Sequence, residues 1–254
     1  MHKGKTPLRL WAVAFWLAMW QLAAMAMAAA YRHGGLLLAS PVDSLLRLGE
    51  LIRTAAFWRA VGASALRIFG GFLLACLLAV GLASLAARFR RLRELLYPLV
   101  AAVKAVPVVS FIILALVWLN GRSLPLFISA LMVFPPVYLN VLAGIAAADQ
   151  KLLEMARVFR VPLWRQLRGI GLPQVLPYFR AAVSLGLGLC WKAGVAAEVI
   201  GLPAGTIGER LYTAKVYFQT PDLFAWTAVI VAVSLVFEKA FLALVDLLAR
   251  KAVN

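Results

Sequence analysis

Six apolar runs, each close to twenty residues or longer, restrict this chain more than any other feature. They lie at about 10–30, 60–86, 96–119, 124–146, 178–200 and 223–248. At 1.5 Å per residue, about twenty helical residues cross the roughly 30 Å hydrocarbon layer of a bilayer. Lipid offers no partner to a free N–H or C=O, so each run has to satisfy its backbone internally, as a helix. Composition agrees: 64% of the 254 residues are hydrophobic, 14% are charged, and the mean hydropathy is +0.92. The reading is an all-α integral membrane protein with six transmembrane helices, one membrane domain whose solvent is the bilayer.

In chain order, a short basic start precedes the first run, read as a retained span rather than a cleaved signal peptide because it is long and further spans follow. A turn-rich loop over 31–40 leads to a surface helix over 41–58, with Leu45, Leu48 and Ile52 on one face. The second run carries Gly70-Gly71, which lets helices approach closely, and ends in Arg88, Arg90, Arg91 and Arg93. Pro98 and Pro107 in the third run and Pro135-Pro136 in the fourth predict kinked spans. Residues 201–222 read as a polar connection to the sixth. No internal repeat is visible. The expected divisions are 1–59 (tail, first span and surface helix), 60–249 (a five-helix core with a loop at 147–177) and 250–254 (a tail).

The segment between the fourth and fifth runs, LEMARVFRVPLWRQLRGIGLPQVLP from Leu153 to Pro177, is too polar to cross a bilayer and too patterned for a slack linker. Glu154 opens a helical pattern in which Leu153, Ala156, Val158 and Phe159 are apolar and Arg157 and Arg160 stay wet. Pro162 breaks it, because a proline ring drives the preceding residue out of the α region. Trp164, Leu167 and Ile170 then carry a second short helix ending at Leu172-Pro173. An L of two short helices is a docking element in its local chemistry.

Charge fixes sidedness. A cytoplasmic N-terminus puts Lys3, Lys5, Arg9, the cluster at 88–93, Lys151, Arg157, Arg160, Arg165, Arg168, Arg250 and Lys251 inside. Arg32, Arg47, Arg53, Arg59, Arg122, Arg210 and Lys215 then lie outside, a bias of about two to one in the direction of the positive-inside rule. The same rule, with anionic headgroups, accounts for the net charge of +16 without nucleic acid: no basic patch is interleaved with stacking aromatics on a soluble surface. The docking segment becomes cytoplasmic.

Enzymatic readings find little support. His2 and His33 are the only histidines, Cys76 and Cys190 both lie inside apolar runs, and no G-x-x-x-x-G-K-[ST] pattern occurs. No cofactor is expected on this chain, and any energy source lies elsewhere. Charges within spans are the informative remainder, because they are costly there and face a partner or a wet path. Lys104 and Arg180 are near enough to a surface to snorkel, and Glu238-Lys239 can pair or face a neighbour. Lys192 sits about 21 Å into the fifth run, and Arg67 reaches a similar level from the other side. Arg67, Lys192 and Glu198 either line a translocation path or its outer gate, two cations favouring an anionic solute, or form a structural pair between spans. Both readings stand.

The order Glu154-x-Ala156, a turn, and Ile170-Gly171-Leu172-Pro173 resembles the "EAA" loop in membrane permeases of ABC-type importers. Ala65-Leu66-Arg67 with Gly71-Phe72, Val106-Pro107, Asn140 with Gly144, Ala197-Glu198, and Gly201, Gly205 and Gly208 are similar to permeases of nitrate, sulfonate, taurine and thiamine-precursor importers. The resemblance covers about 60–249. It implies that Glu154, Ala156, Arg157, Phe159, Arg160, Pro162 and Trp164 dock on a cytoplasmic ATPase. It further implies a second copy of the chain, an ATPase dimer that uses the ATP, an extracytoplasmic substrate-binding protein, and the bacterial inner membrane with both termini cytoplasmic. Arg160 stands where the family has glycine, and the expectation is that Pro162 makes the turn by another route. The competing class is a secondary transporter or channel that uses the intramembrane charges without an ATPase.

Overall fold

The computed structural model describes residues 10–31 and 37–253, with side chains described to 247. Lys3, Lys5, Arg9, Arg32 and both histidines lie outside the described residues, as do the side chains of Arg250 and Lys251. All regular structure among the described residues is helical. Helix α1 covers Leu10–Ala30, α2 Pro41–Ile52, α3 Ala55–Arg88, α4 Arg90–Ala105, α5 Val108–Ala115 and α6 Leu124–Ala146. Then follow α7 Gln150–Val158, α8 Leu163–Gln166, a π-helical turn Leu167–Gly171, α9 Leu172–Gly201, α10 Ile207–Val216 and α11 Thr220–Val253.

Helices α3, α6 and α9 form the centre, packed around Ile68, Phe72, Val133, Val137, Val183, Leu187 and Trp191. Close approach depends on missing side chains. A Cβ on Gly71 would overlap the carbonyl oxygen of Leu126, so α3 and α6 meet backbone to backbone there. Helix α11 lies outside this trio and contributes Phe237 and Phe241 to its flank. At one end, Phe57 stacks on Trp226 with ring centroids 5.1 Å apart, and the Arg47 guanidinium bridges Asp222 on α11 and Glu50 on α2. These carboxylates raise the pKa of Arg47, hydrogen bonds to Asp222 contributing most. Helix α1 is peripheral: Trp20 donates to the Ala39 carbonyl at 3.0 Å and packs on Phe224.

Several sequence expectations are corrected. The surface helix stops at Ile52, because Thr54 caps the next helix by accepting from the Phe57 N–H, so residues 55–58 belong to the second span. Its inward face is Pro41, Ser44, Leu48 and Leu51, while Leu45 and Ile52 are exposed. The connection at 201–222 contains α10, capped by Thr206. The third span is not a kinked helix but α4 and α5, meeting at 106°. Val106 and Pro107 both take extended conformations there, at ψ 133° and 137°, as expected of a residue before proline and a ring that cannot donate. Pro135 and Pro136 leave α6 unbroken, because neighbouring helices enclose it on nearly every side.

Does the bent pair cross the membrane? Near one end, Ala86 of α3 and Val100 of α4 share a cluster with Leu142 of α6, and Gly144 touches Tyr178 at the start of α9. At the other end, Gly121 lies against Gly201, where α9 finishes. The pair starts beside Arg88 and delivers the chain to Gly121. It therefore runs from one end of the helical core to the other, and counted with the five helices long and apolar enough to cross a membrane it brings the spans to as many as six.

Candidate functional site

Two places gather the residues singled out above. The first is the turn between α6 and α9. Asp149 caps α7, its carboxylate accepting from the Lys151 N–H at 2.9 Å, and its own N–H donates to Gln174 on α9 at 2.8 Å. Entry and exit of the segment are thereby tied together. Helix α7 thus starts at Gln150, before Glu154.

Its end is a Schellman closure. Val161 N–H bonds the Ala156 carbonyl at 2.9 Å, Arg160 N–H bonds the Arg157 carbonyl at 3.0 Å, and Arg160 is left-handed at φ 50°. The expected alternative route is corrected: Arg160 itself adopts the conformation a glycine would take, because the closure needs a left-handed residue whatever its side chain. Pro162 then caps α8, and its carbonyl accepts from the Gln166 N–H at 3.1 Å. Nor does the second arm end at Leu172-Pro173. It runs through the π turn, where Leu172 N–H reaches back five residues to Leu167, into α9. Pro173 cannot donate, so the shift of register falls where the ladder loses a bond anyway.

The outward surface of this turn is apolar with a charged rim. Phe159 is 74% exposed and Trp164 72%, with Val158, Leu163 and Leu167 exposed beside them. Glu154, Arg157, Arg160 and Pro162 are also exposed. Ala156 is the exception at 2%, directed into its own chain, and so is not on the surface that the sequence resemblance implied it would share. Val158 and Phe159 were expected to supply apolar contacts; within this chain they have no cover.

The second place is the opposite end of α9. Glu198 is fully buried. Its Oε2 accepts from Ser64 Oγ at 2.8 Å and from Gly208 N–H at 3.0 Å, and Ser64 Oγ accepts from Ile207 N–H at 2.9 Å. Two free N–H groups of α10's first turn are thus taken by side chains from α3 and α9, where a helix N-terminus favours negative charge. Gly208 permits it, since a Cβ there would lie 2.6 Å from the Val199 nitrogen. Arg67, one turn from Ser64, forms no direct ion pair with Glu198 among the described residues. Arg67 Nη1 and Glu198 Oε1 are both buried without a partner.

Lys192 is elsewhere, on an exposed stripe of α9 with Ala181 and Leu185. The three charges do not form one cluster. Sequence reading missed Ser64 and α10; the available signal was Ser64 three residues before Arg67, on the same helical face. Of the other intramembrane charges, Arg180 pairs with Asp246 at 2.6 Å, and Glu238 faces a neighbour as one of its two expected roles, accepting from Ser184 at 2.8 Å.

Six spans with an exposed helical turn between the fourth and fifth meet a direct counterpart in sequence. The family model described as binding-protein-dependent transport system inner membrane component matches residues 77–254. The chain belongs to this family. A Bacillus subtilis (strain 168) protein named for aliphatic sulfonates transport is 31% identical over 74% of this chain and 68% of its own length. The riboflavin transport system permease of Chloroflexus aurantiacus is 28% identical over 78% and 74%. The taurine transport system permease of Escherichia coli (strain K12) is 26% identical over 75% and 69%. As an ABC-importer permease, the chain is a multi-pass inner-membrane transport component of a family that works with ATPase and substrate-binding subunits, and is not itself an enzyme family.

Proposed function

We propose that this chain forms the translocation path of an ATP-driven importer for a small anionic solute and couples it to separate ATPase subunits through the α7–α8 turn. The observation that carries the reading is the exposed Phe159–Trp164 surface on a turn whose two ends are fixed by Asp149 and Gln174. An apolar patch with a charged rim is what a partner's cleft requires, and the fixed ends let force applied there reach α6 and α9. Glu154, Arg157 and Arg160 form its rim. The path is assembled from two copies of the chain about a two-fold axis, with the Ala181–Lys192 stripe of α9 facing it. Arg67 and Glu198 brace its outer end. The N- and C-termini and the turn are cytoplasmic. Closure of the ATPases draws the two turns together and tilts the spans, a rigid-body change of access.

The solute class rests on Lys192 and on relatives named for sulfonates and taurine. The test uses the importer reconstituted in vesicles with its ATPase and binding protein. Phe159→Ala with Trp164→Ala is expected to lower ATPase co-purification and ATP-driven uptake at least about tenfold, the loss of two buried aromatic anchors, with yield and monodispersity retained. Full co-purification and uptake in the double variant would falsify the docking reading.

A further inference from the structure

The break between α3 and α4 carries Arg88, Arg90, Arg91 and Arg93, all exposed. Among the described residues the one ion pair made by these four is that of Arg90 with Glu94, at 2.8 Å. Arg88, Arg91 and Arg93 have no carboxylate partner among the described residues. They also lie at the positive end of α4, whose first turn contains no acidic residue, so self-repulsion adds to an uncompensated positive potential.

The order of side chains along α4 follows the order of a bilayer. Arginines fill its first turn, Tyr97 follows at 73% exposure, and Leu95 and Leu99 lie exposed at the same depth, at 71% and 54%. Val100 and Val103 hold the opposite face against the core. Arg90, Arg93, Glu94 and Tyr97 line a surface recess. Helix α3, with 34 residues, is about 51 Å long, longer than the roughly 30 Å hydrocarbon layer, and it ends in Arg88.

We infer that the Arg88–Leu99 surface binds an acidic phospholipid, its phosphodiester held by Arg90, Arg91 and Arg93 and its acyl chains lying along Leu95 and Leu99. A zwitterionic lipid carries the same phosphate but also an ammonium, which this surface repels. Free phosphate lacks the chains that Leu95, Tyr97 and Leu99 cover. The site is independent of the solute carried and of the docking turn, and its failure would leave the importer reading intact.

The test is native mass spectrometry of the full chain released from nanodiscs of equal parts phosphatidylglycerol and phosphatidylcholine. Wild-type protein should retain phosphatidylglycerol preferentially. R90Q/R91Q/R93Q should lose that preference at least about tenfold, as each cation near a surface contributes to anionic-lipid attraction. R90K/R91K/R93K should keep most of it. Should the glutamine triple fail to fold, Arg93→Gln alone should still show a measurable loss. Equal retention of the two lipids by the wild type overturns the proposal. So does undiminished preference in the folded glutamine variants, or displacement of the lipid by millimolar inorganic phosphate.

Discussion

Arg160 holds a left-handed backbone that costs a residue with a Cβ about 1–2 kcal/mol, and Phe218 does the same at φ 54° in the turn after α10. In both, the next N–H reaches back to close the helix, Val161 to Ala156 and Gln219 to Ala214. Arg160→Gly should therefore stabilise the turn by about 0.5–1 kcal/mol, the relieved strain being offset in part by glycine's freer unfolded state. Slower proteolysis of the 150–171 segment is the expected result; faster cleavage would contradict it. Glu198 offers a second prediction. Glu198→Ala leaves the Ser64 hydroxyl and the Gly208 N–H without their acceptor, a loss of about 2–4 kcal/mol for two buried groups. Glu198→Gln retains an acceptor oxygen and should lose less. Thermal unfolding in detergent distinguishes them, and equal losses would count against the interlock.

Among the elements, the close crossing of α3 and α6 has the least tolerance. Gly71→Val would force its side chain into the Leu126 backbone and Ser129, which only separation of the helices could relieve. The expected outcome is a fall in folded yield far larger than for Gly62→Val, where a Cβ meets nothing within 4 Å; similar yields would disprove the crossing. Proline acts according to what surrounds it. Pro107 separates α4 from α5, Pro136 is absorbed in an enclosed helix, and Pro173 coincides with a π turn. The residue type was readable in advance, but the outcome depended on whether neighbours held the helix straight.

For the molecule as a whole, the α7–α8 turn and the Val216–Phe218 turn lie at opposite ends. Arg160→Cys and Tyr217→Cys, introduced singly, should react with an impermeant maleimide from opposite sides of oriented vesicles. Cys76 and Cys190 are buried and should give little background. Reaction of both from one side would refute the crossing of α9 that lies between them. The interlock of Ser64, Glu198 and Gly208 joins α3, α9 and α10 at the end of the molecule opposite the α7–α8 turn. A tilt of α9 would therefore carry α10 with it.

The sequence by itself determined the solvent, the helical class, the positions of the apolar runs and the polar segment between the fourth and fifth, and the family. These follow from run length, from charge and from the spacing of a few residues, all of which are local properties of the chain. Only the tertiary structure decided which charges meet. Glu198 is 134 residues from Ser64, and no periodicity reports that the N–H groups of a helix unseen in the connection will be satisfied by two other spans. It also decided that Arg160 would be left-handed. The hydrogen-bond closure and the fixed ends of the turn outweigh a local preference of about 1–2 kcal/mol, and that balance is struck only once the neighbouring spans are in place.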